Sequence, residues 1–349
     1  MKPRVLLGLS SGIDSSVTAT ILKNKGLDVI GVTFIFSDIE KESVQVKESL
    51  HHIIKKLDIE HFFVDLRKEF DEIVISYFLS EYRFGRTPFP CAVCNPQIKF
   101  ANLIKLAKKL NCKYISTGHY AQIIEYKNFR YIKKAIDKEK DQSFFLWGLR
   151  QDVLHRLIFP LGRITKNEVR KLAKKNGLDS LIEKEESRGV CFIQGNNYRN
   201  FFKQKGLNLS SGKFIDKNGK ILGEHSGITD YTIGQRRGLG LQCSTPQFVS
   251  DIRPSTNEIV LSDFNNLFKT KIIIEGYHFN SPESIDKQKF YVVKIRYRLQ
   301  ENTCRINIKN GKLAIIELLE PVAMVANGQT AVLYDKNKVI GGGFIQNSE

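Results

Sequence analysis

No run in this chain approaches the roughly 18 consecutive apolar residues that a membrane-spanning helix needs. No leader is expected either, because Met1-Lys2-Pro3 leads straight into an apolar segment without the basic and apolar regions of a signal peptide, and a cytoplasmic location is expected. Internal repeats and low-complexity tracts are absent. Negative charge is in short supply, with 37 acidic residues against 54 basic ones and a formal net charge of +17. An excess that large favours a polyanionic partner, of which nucleic acid is the commonest. Only one Cys-x-x-Cys pair occurs among six cysteines, and no second pair follows at zinc-ribbon spacing, which argues against a structural zinc. Structural disulfides are not expected in a reducing compartment. Any special cysteine is therefore catalytic, redox-active or a metal ligand.

What is present begins ten residues in. Gly8-Leu9-Ser10-Ser11-Gly12-Ile13-Asp14-Ser15 follows an apolar strand pattern over 4–9 and precedes an amphipathic helix pattern over 17–25. Such a turn gathers backbone N–H groups, serine hydroxyls and the positive end of a helix dipole around one point, a ready site for phosphate. It is not a Walker loop, because no Gly-Lys-Ser/Thr follows. Downstream, strands at 27–36, 61–66 and 113–117 are separated by helical patterns. One of these carries Val46, Leu50, Ile53 and Leu57 at spacings of four, three and four. This alternation predicts a doubly wound parallel α/β sheet, whose ligands bind at the carboxyl ends of the strands. Thr117-Gly118-His119-Tyr120 lies at such an end, which makes His119 a functional candidate. After about residue 195 the pattern breaks into short Gly-punctuated pieces. From 271 onward six strands follow one another with no helix between them, predicting a small antiparallel β-barrel. The expected domains are 1–195, 196–264 (a small central domain) and 265–349.

Cys91-Ala92-Val93-Cys94-Asn95-Pro96 is the second informative stretch. Asn95 suits an N-cap and Pro96 a first helical position, which would set Cys94 beside a helix N-terminus and, with Lys99, lower its thiol pKa. The remote partner for this pair is Cys191, in Gly189-Val190-Cys191-Phe192-Ile193 after a charged run. An iron–sulfur cluster on Cys91, Cys94 and one remote cysteine stays open. Cys112, Cys243 and Cys304 read as buried, inert residues. Lys140-Asp141-Gln142-Ser143 precedes an expected apolar helix, which Asp141 or Ser143 caps unless Asp141 holds Mg²⁺ or a substrate hydroxyl. Tyr231 to Gly240 mixes an aromatic, the pair Arg236-Arg237 and glycines, which suits contact with phosphates and bases.

Taken in order, these segments resemble the tRNA-specific 2-thiouridylases of the PP-loop ATP-pyrophosphatase superfamily over essentially the whole chain. The carriers are the 8–15 loop, Gly85-Arg86-Thr87-Pro88, Cys94-Asn95, Ile98-Lys99-Phe100, 117–121, 140–146 and Pro160-Leu161-Gly162. They continue with 189–193, 231–240, Arg296-Tyr297, Asn327-Gly328-Gln329 and 341–344. The resemblance implies a Rossmann-like PP-loop domain, a small central domain and a tRNA-embracing β-barrel. It implies ATP-dependent 2-thiolation of the wobble uridine, by adenylylation of its O2 and sulfur transfer from a cysteine persulfide. It makes Cys191 the persulfide carrier, Cys94 its partner in a transient disulfide, and Asp14 a further catalytic candidate. Gly8 to Ser15, Phe34 and Gly118 match ATP-binding positions. His119, Lys140, Asp141, Gln142, Arg296, Tyr297 and Gln329 match positions near tRNA, and Arg236 and Arg237 join them. ATP and Mg²⁺ are the implied cofactors, tRNA and a persulfide-donating sulfur carrier protein the implied partners, and a monomer is expected. Three departures stand out. Ser11 replaces a glycine, which restricts φ if the residue is left-handed. Phe89 replaces an asparagine between two prolines, and the stretch 38–51 is short. An iron–sulfur-dependent thiolase or a catalytically impaired tRNA-binding paralogue are the competing readings.

Overall fold

The computed structural model describes residues 2–38, 44–183, 189–193, 195, 197–207, 210–281, 285–298, 300–309 and 311–349. The chain divides into two compact units, one of residues 1–73, 91–188 and 337–340, the other of 74–90, 189–336 and 341–349.

The first unit is built on a five-stranded parallel sheet. Its strands are β1 (Arg4–Gly8), β2 (Asp28–Ile35), β3 (Glu60–Asp65), β4 (Tyr114–Thr117) and β7 (Leu157–Ile158), in the order β3-β2-β1-β4-β7. Val5, Leu6 and Leu7 of β1 are all fully buried, which requires cover on both faces, as in a doubly wound sheet. On one face lie α1 (Ile13–Asn24) and α2 (Val44–Leu57), where Leu22, Leu50 and Ile53 are fully buried at helical spacing. Gly26, at φ +78°, ends α1 in the left-handed conformation that a helix C-terminus favours, and two short helices, α3 (Arg67–Phe70) and α4 (Ser76–Arg83), follow β3 along the chain. Residues 39–43 of the short 38–51 stretch lie outside the described residues.

Between β4 and β7 the structure adds a hairpin absent from the sequence reading, β5 (Gln122–Tyr126) and β6 (Phe129–Lys133). Its two turn residues, Lys127 and Asn128, have φ of +48° and +65°, the twist that a two-residue hairpin requires. The pattern passed unnoticed because lysine is not a usual residue for that conformation.

In the second unit a four-stranded sheet comprises β8 (Gly212–Ile215), β9 (Ile221–His225), β10 (Phe248–Arg253) and β11 (Glu258–Ser262), in the order β10-β11-β8-β9. Phe214, Val249 and Ile259, all fully buried, form its core. The barrel follows with β12 (Phe268–Phe279), β13 (Tyr291–Lys294), β14 (Asn302–Lys309), β15 (Leu313–Ala323), β16 (Thr330–Asp335) and β17 (Lys338–Ser348). Strand β12 pairs antiparallel with both β15 and β17, which closes six strands and leaves the barrel no open edge. The α/β sheet, the central sheet and the antiparallel barrel agree with the fold class read from the sequence.

Candidate functional site

The serine-rich turn is locked by its own side chains. The Ser10 amide donates to Ser15 Oγ at 3.0 Å and the Gly12 amide to Ser10 Oγ at 3.3 Å. Gly12 caps α1 without a side chain, so the first-turn amides of Ile13 and Asp14 have no intrahelical acceptor. That is a cradle fitted to an anion. Gly118, at the end of β4, makes it compact: a Cβ there would lie 2.9 Å from the Ser15 nitrogen. Phe34 is buried near the carboxyl end of β2. Ser11 is not among the residues with positive φ, so its replacement of glycine brings no backbone strain.

Asp14 does not stand alone in this cradle. Its Oδ1 accepts from the Tyr120 hydroxyl and from Lys166 Nζ, each at 2.7 Å. Lys166 is buried and opens α7 (Lys166–Lys175), where a capping box joins Thr165 and Glu168. A lysine at the positive end of a helix is disfavoured by the dipole; the Asp14 carboxylate offsets that. The sequence reading missed Lys166. The Thr-x-x-Glu box was legible at 165–168, but not the inward course of the lysine.

His119 packs against the rings of Phe100 and Phe159, each centroid 5.9 Å away. Its Nδ1 is 2.7 Å from Thr117 Oγ1. Burial, with a smaller contribution from Lys99, pushes its pKa down to about 3, so the ring is neutral and serves as a hydrogen-bonding group, not a cation. Asp141 is a loop cap: its Oδ1 accepts from the amides of Ala135 (2.9 Å) and Ser143 (3.2 Å), its Oδ2 from the Ser143 hydroxyl (2.8 Å). The segment after it is a single 3₁₀ turn, Ser143–Phe145, and not the start of an apolar helix. Gln142 accepts from the Tyr120 amide at 2.9 Å. Asp141 and Gln142 thus point inward and brace the strand end that carries His119, while Lys140 beside them is half-buried.

The cysteine pair corrects the expectation. The helix begins at Pro90, five residues before Asn95, and runs through α5 (Pro90–Cys94) and a π turn (Asn95–Lys99) into α6 (Phe100–Lys109). Cys94 has helical dihedrals (φ −59°, ψ −46°), so it is not beside a helix N-terminus, and the dipole argument for its reactivity falls. Asn95 is not a cap; its buried amide donates to the Phe145 carbonyl at 2.9 Å. The π turn is what admits Pro96. In a regular α-helix its ring would collide with the carbonyl four residues back, and the wider turn relieves that. Cys91 and Cys94 are both partly accessible, and burial pushes the Cys91 thiol up.

Cys191 is exposed on a tight turn in which the Ile193 amide donates to the Val190 carbonyl at 3.1 Å. The flanking residues hold it. Ile193 is buried with Phe78, Tyr82, Phe202 and Leu207, Val190 packs against them, and the Phe192 ring meets Phe78 edge-on at 5.1 Å. The charged run before Gly189 lies outside the described residues. Cys112 and Cys304 are buried as expected, with Cys304 pushed up to about 12 by burial. Cys243 is exposed, contrary to expectation, because it lies in an irregular segment before β10 with no strand to bury it. No group of three or more His, Cys, Asp or Glu residues poised for a metal occurs among the described residues.

In the second unit Gln329 donates to the Thr87 carbonyl at 2.9 Å, and the Thr87 amide donates to Asn327 at 2.8 Å. Gly328, at φ +86°, lies where an added Cβ would be 3.0 Å from both Arg86 and the Thr87 carbonyl. The 85–88 and 327–329 segments therefore fasten one another. Arg296 donates to the Ile233 carbonyl at 3.0 Å and tethers the glycine-rich loop that presents Arg236 and Arg237 to solvent. Tyr297 is half-buried with the Arg298 guanidinium 6.0 Å from its ring centroid.

Three family signatures match consecutive parts of the chain: a tRNA methyl transferase HUP domain over 3–195, a tRNA methyl transferase PRC-barrel domain over 199–263 and an aminomethyltransferase β-barrel domain over 269–345. A tRNA-specific 2-thiouridylase, MnmA 1, of Bacteroides fragilis is 40% identical, covering 99% of this chain and 98% of its own length. The MnmA 1 of Clostridium botulinum is 38% identical over 99% of both chains. The tRNA-specific 2-thiouridylase MnmA of Cytophaga hutchinsonii is 37% identical, over 99% of this chain and 98% of its own.

Proposed function

The chain belongs to the tRNA-specific 2-thiouridylase family, and on that premise we propose that it installs sulfur at C2 of the wobble uridine of tRNA at the expense of ATP. A uracil carbonyl oxygen is a poor leaving group, and adenylylation of O2 makes it a good one. The 8–15 loop suits that step. Its hydroxyls and the Ile13 and Asp14 amides would hold the nucleotide phosphates and stabilise departing pyrophosphate. Mg²⁺ would ride on those phosphates, adding positive charge, since the loop offers hydroxyls, amides and one carboxylate already held by Lys166 and Tyr120. His119, Lys140, Arg236, Arg237, Arg296, Tyr297 and Gln329 are assigned to the tRNA side, the inward-facing ones as positioning residues with Asp141 and Gln142.

The observation that carries this reading is the Cys191 turn, which exposes a thiol between anchored neighbours. Cys191 would accept sulfur from a carrier protein as a persulfide, whose terminal sulfur attacks C2 and displaces AMP. Cys94 would then attack Cys191 Sγ, freeing the sulfur as 2-thiouridine and leaving a Cys94–Cys191 disulfide. Mass spectrometry of tRNA nucleosides after incubation with ATP, Mg²⁺ and a persulfide donor tests it. Wild type should yield 2-thiouridine, and Cys191→Ser should yield none while still binding tRNA. Normal thiolation by that variant would reject the mechanism.

A further inference from the structure

Cys91 takes no part in the chemistry above, yet it is one helical turn before Cys94 in the continuous helix that starts at Pro90. Residues three apart in a helix share a face, with Cβ atoms about 5–6 Å apart. A disulfide needs about 3.5–4.5 Å, so bringing the two Cβ atoms about 1.5 Å closer joins the two sulfurs. Cys91 and Cys94 lie in the first turns of this helix, just before the widened π turn at Asn95–Lys99, where the helix is already irregular. Both side chains are partly accessible.

We propose that Cys91 is the resolving cysteine of the cycle, attacking Cys94 Sγ in the Cys94–Cys191 disulfide and passing the bond to a Cys91–Cys94 pair. The step rests on the persulfide reading of the preceding section. It is a thiol–disulfide exchange and balances without an external oxidant. The Cys91 S–H proton is lost and one S–S bond forms; the Cys94–Cys191 bond breaks and Cys191 leaves as a thiolate that takes up a proton. Cys191 is thereby returned, exposed and reduced, to receive its next persulfide before any reductant acts. Burial keeps the Cys91 thiol protonated at neutral pH, with Lys99 partly opposing it, which guards it against adventitious oxidation. The exchange should quicken as pH rises, because the thiolate fraction of any thiol grows about tenfold per unit below its pKa, and burial carries that range further upward for Cys91.

The test is a single turnover of persulfide-loaded wild-type enzyme with tRNA and ATP in the absence of reductant, quenched by alkylation and mapped by non-reducing peptide mass spectrometry. A Cys91–Cys94 cross-link with Cys191 alkylated is the expected result. In Cys91→Ser the Cys94–Cys191 cross-link should accumulate instead. A wild-type enzyme that holds Cys94–Cys191 with Cys91 alkylated, while making thiouridine, would overturn the resolving role alone. Absence of thiouridine from wild type, or thiouridine without any disulfide, would overturn the persulfide reading and this inference together. The wild-type map needs no variant to fold.

Discussion

Asp14 shows how a residue found by its motif can have partners that the motif does not reveal. The loop pattern marks it as catalytic, and the structure ties it to Lys166 and Tyr120 before any nucleotide enters. The pair fixes the start of α1 against the start of α7, so its first effect is on the shape of the cradle. Removing one partner of a mostly buried ion pair typically costs about 3 kcal/mol. Lys166→Met is therefore expected to lose about that much in urea denaturation; a loss at the level of an exposed pair would show that the bridge does not hold the loop. His119 gives a second prediction. Its pKa falls from 6.5 to about 3 on folding, so between those values the unfolded chain binds more protons. Its contribution is complete above pH 6.5 and is lost as pH falls toward 3, by up to about 1.4 kcal/mol per unit. His61, lowered to about 4 by burial, acts in the same direction. Stability measured against pH should decline less steeply in His119→Gln, and an unchanged slope would contradict the burial argument.

Helices decide where the cysteines and the loop point. The segment 90–109 reads as a helix starting at Asn95 because Asn-Pro is a good start signal, and Pro96 argues against any helix continuing through it. Pro90 is an equally good start, and the π turn removes the obstacle. Local residue chemistry allowed both, and only the packing of Asn95 onto Phe145 chose between them. The α7 cap is different, since Thr165 and Glu168 settle it locally. Thr165→Ala should cost about 1 kcal/mol in thermal or chemical denaturation. Because α7 begins at Lys166, the variant should also loosen the bridge to Asp14. A stability equal to wild type would mean the cap is redundant.

The whole chain carries +17, and the residues left to solvent in the glycine-rich loop, Arg236 and Arg237, are part of that excess. If tRNA is the partner, binding releases counterions. Affinity measured by filter binding should then fall linearly in log–log form as salt rises, with a slope near −0.7 to −0.9 for each phosphate neutralised. A flat profile would remove the polyanion argument. The sequence by itself determined the alternation of strands and helices in the first part of the chain, apart from the hairpin at 122–133, the run of six strands at the end and the serine-rich turn between β1 and α1. Hydrophobic period, turn residues and charge are local properties, written residue by residue. Only the tertiary structure decided that Lys166 reaches Asp14 across 152 positions, and that Gln329 fastens Thr87 across 242. It also decided that Cys191 stays outside while Ile193 is buried and Val190 and Phe192 pack against the same cluster. Those outcomes depend on which faces pack together, and close packing selects one arrangement from the many that periodicity alone permits.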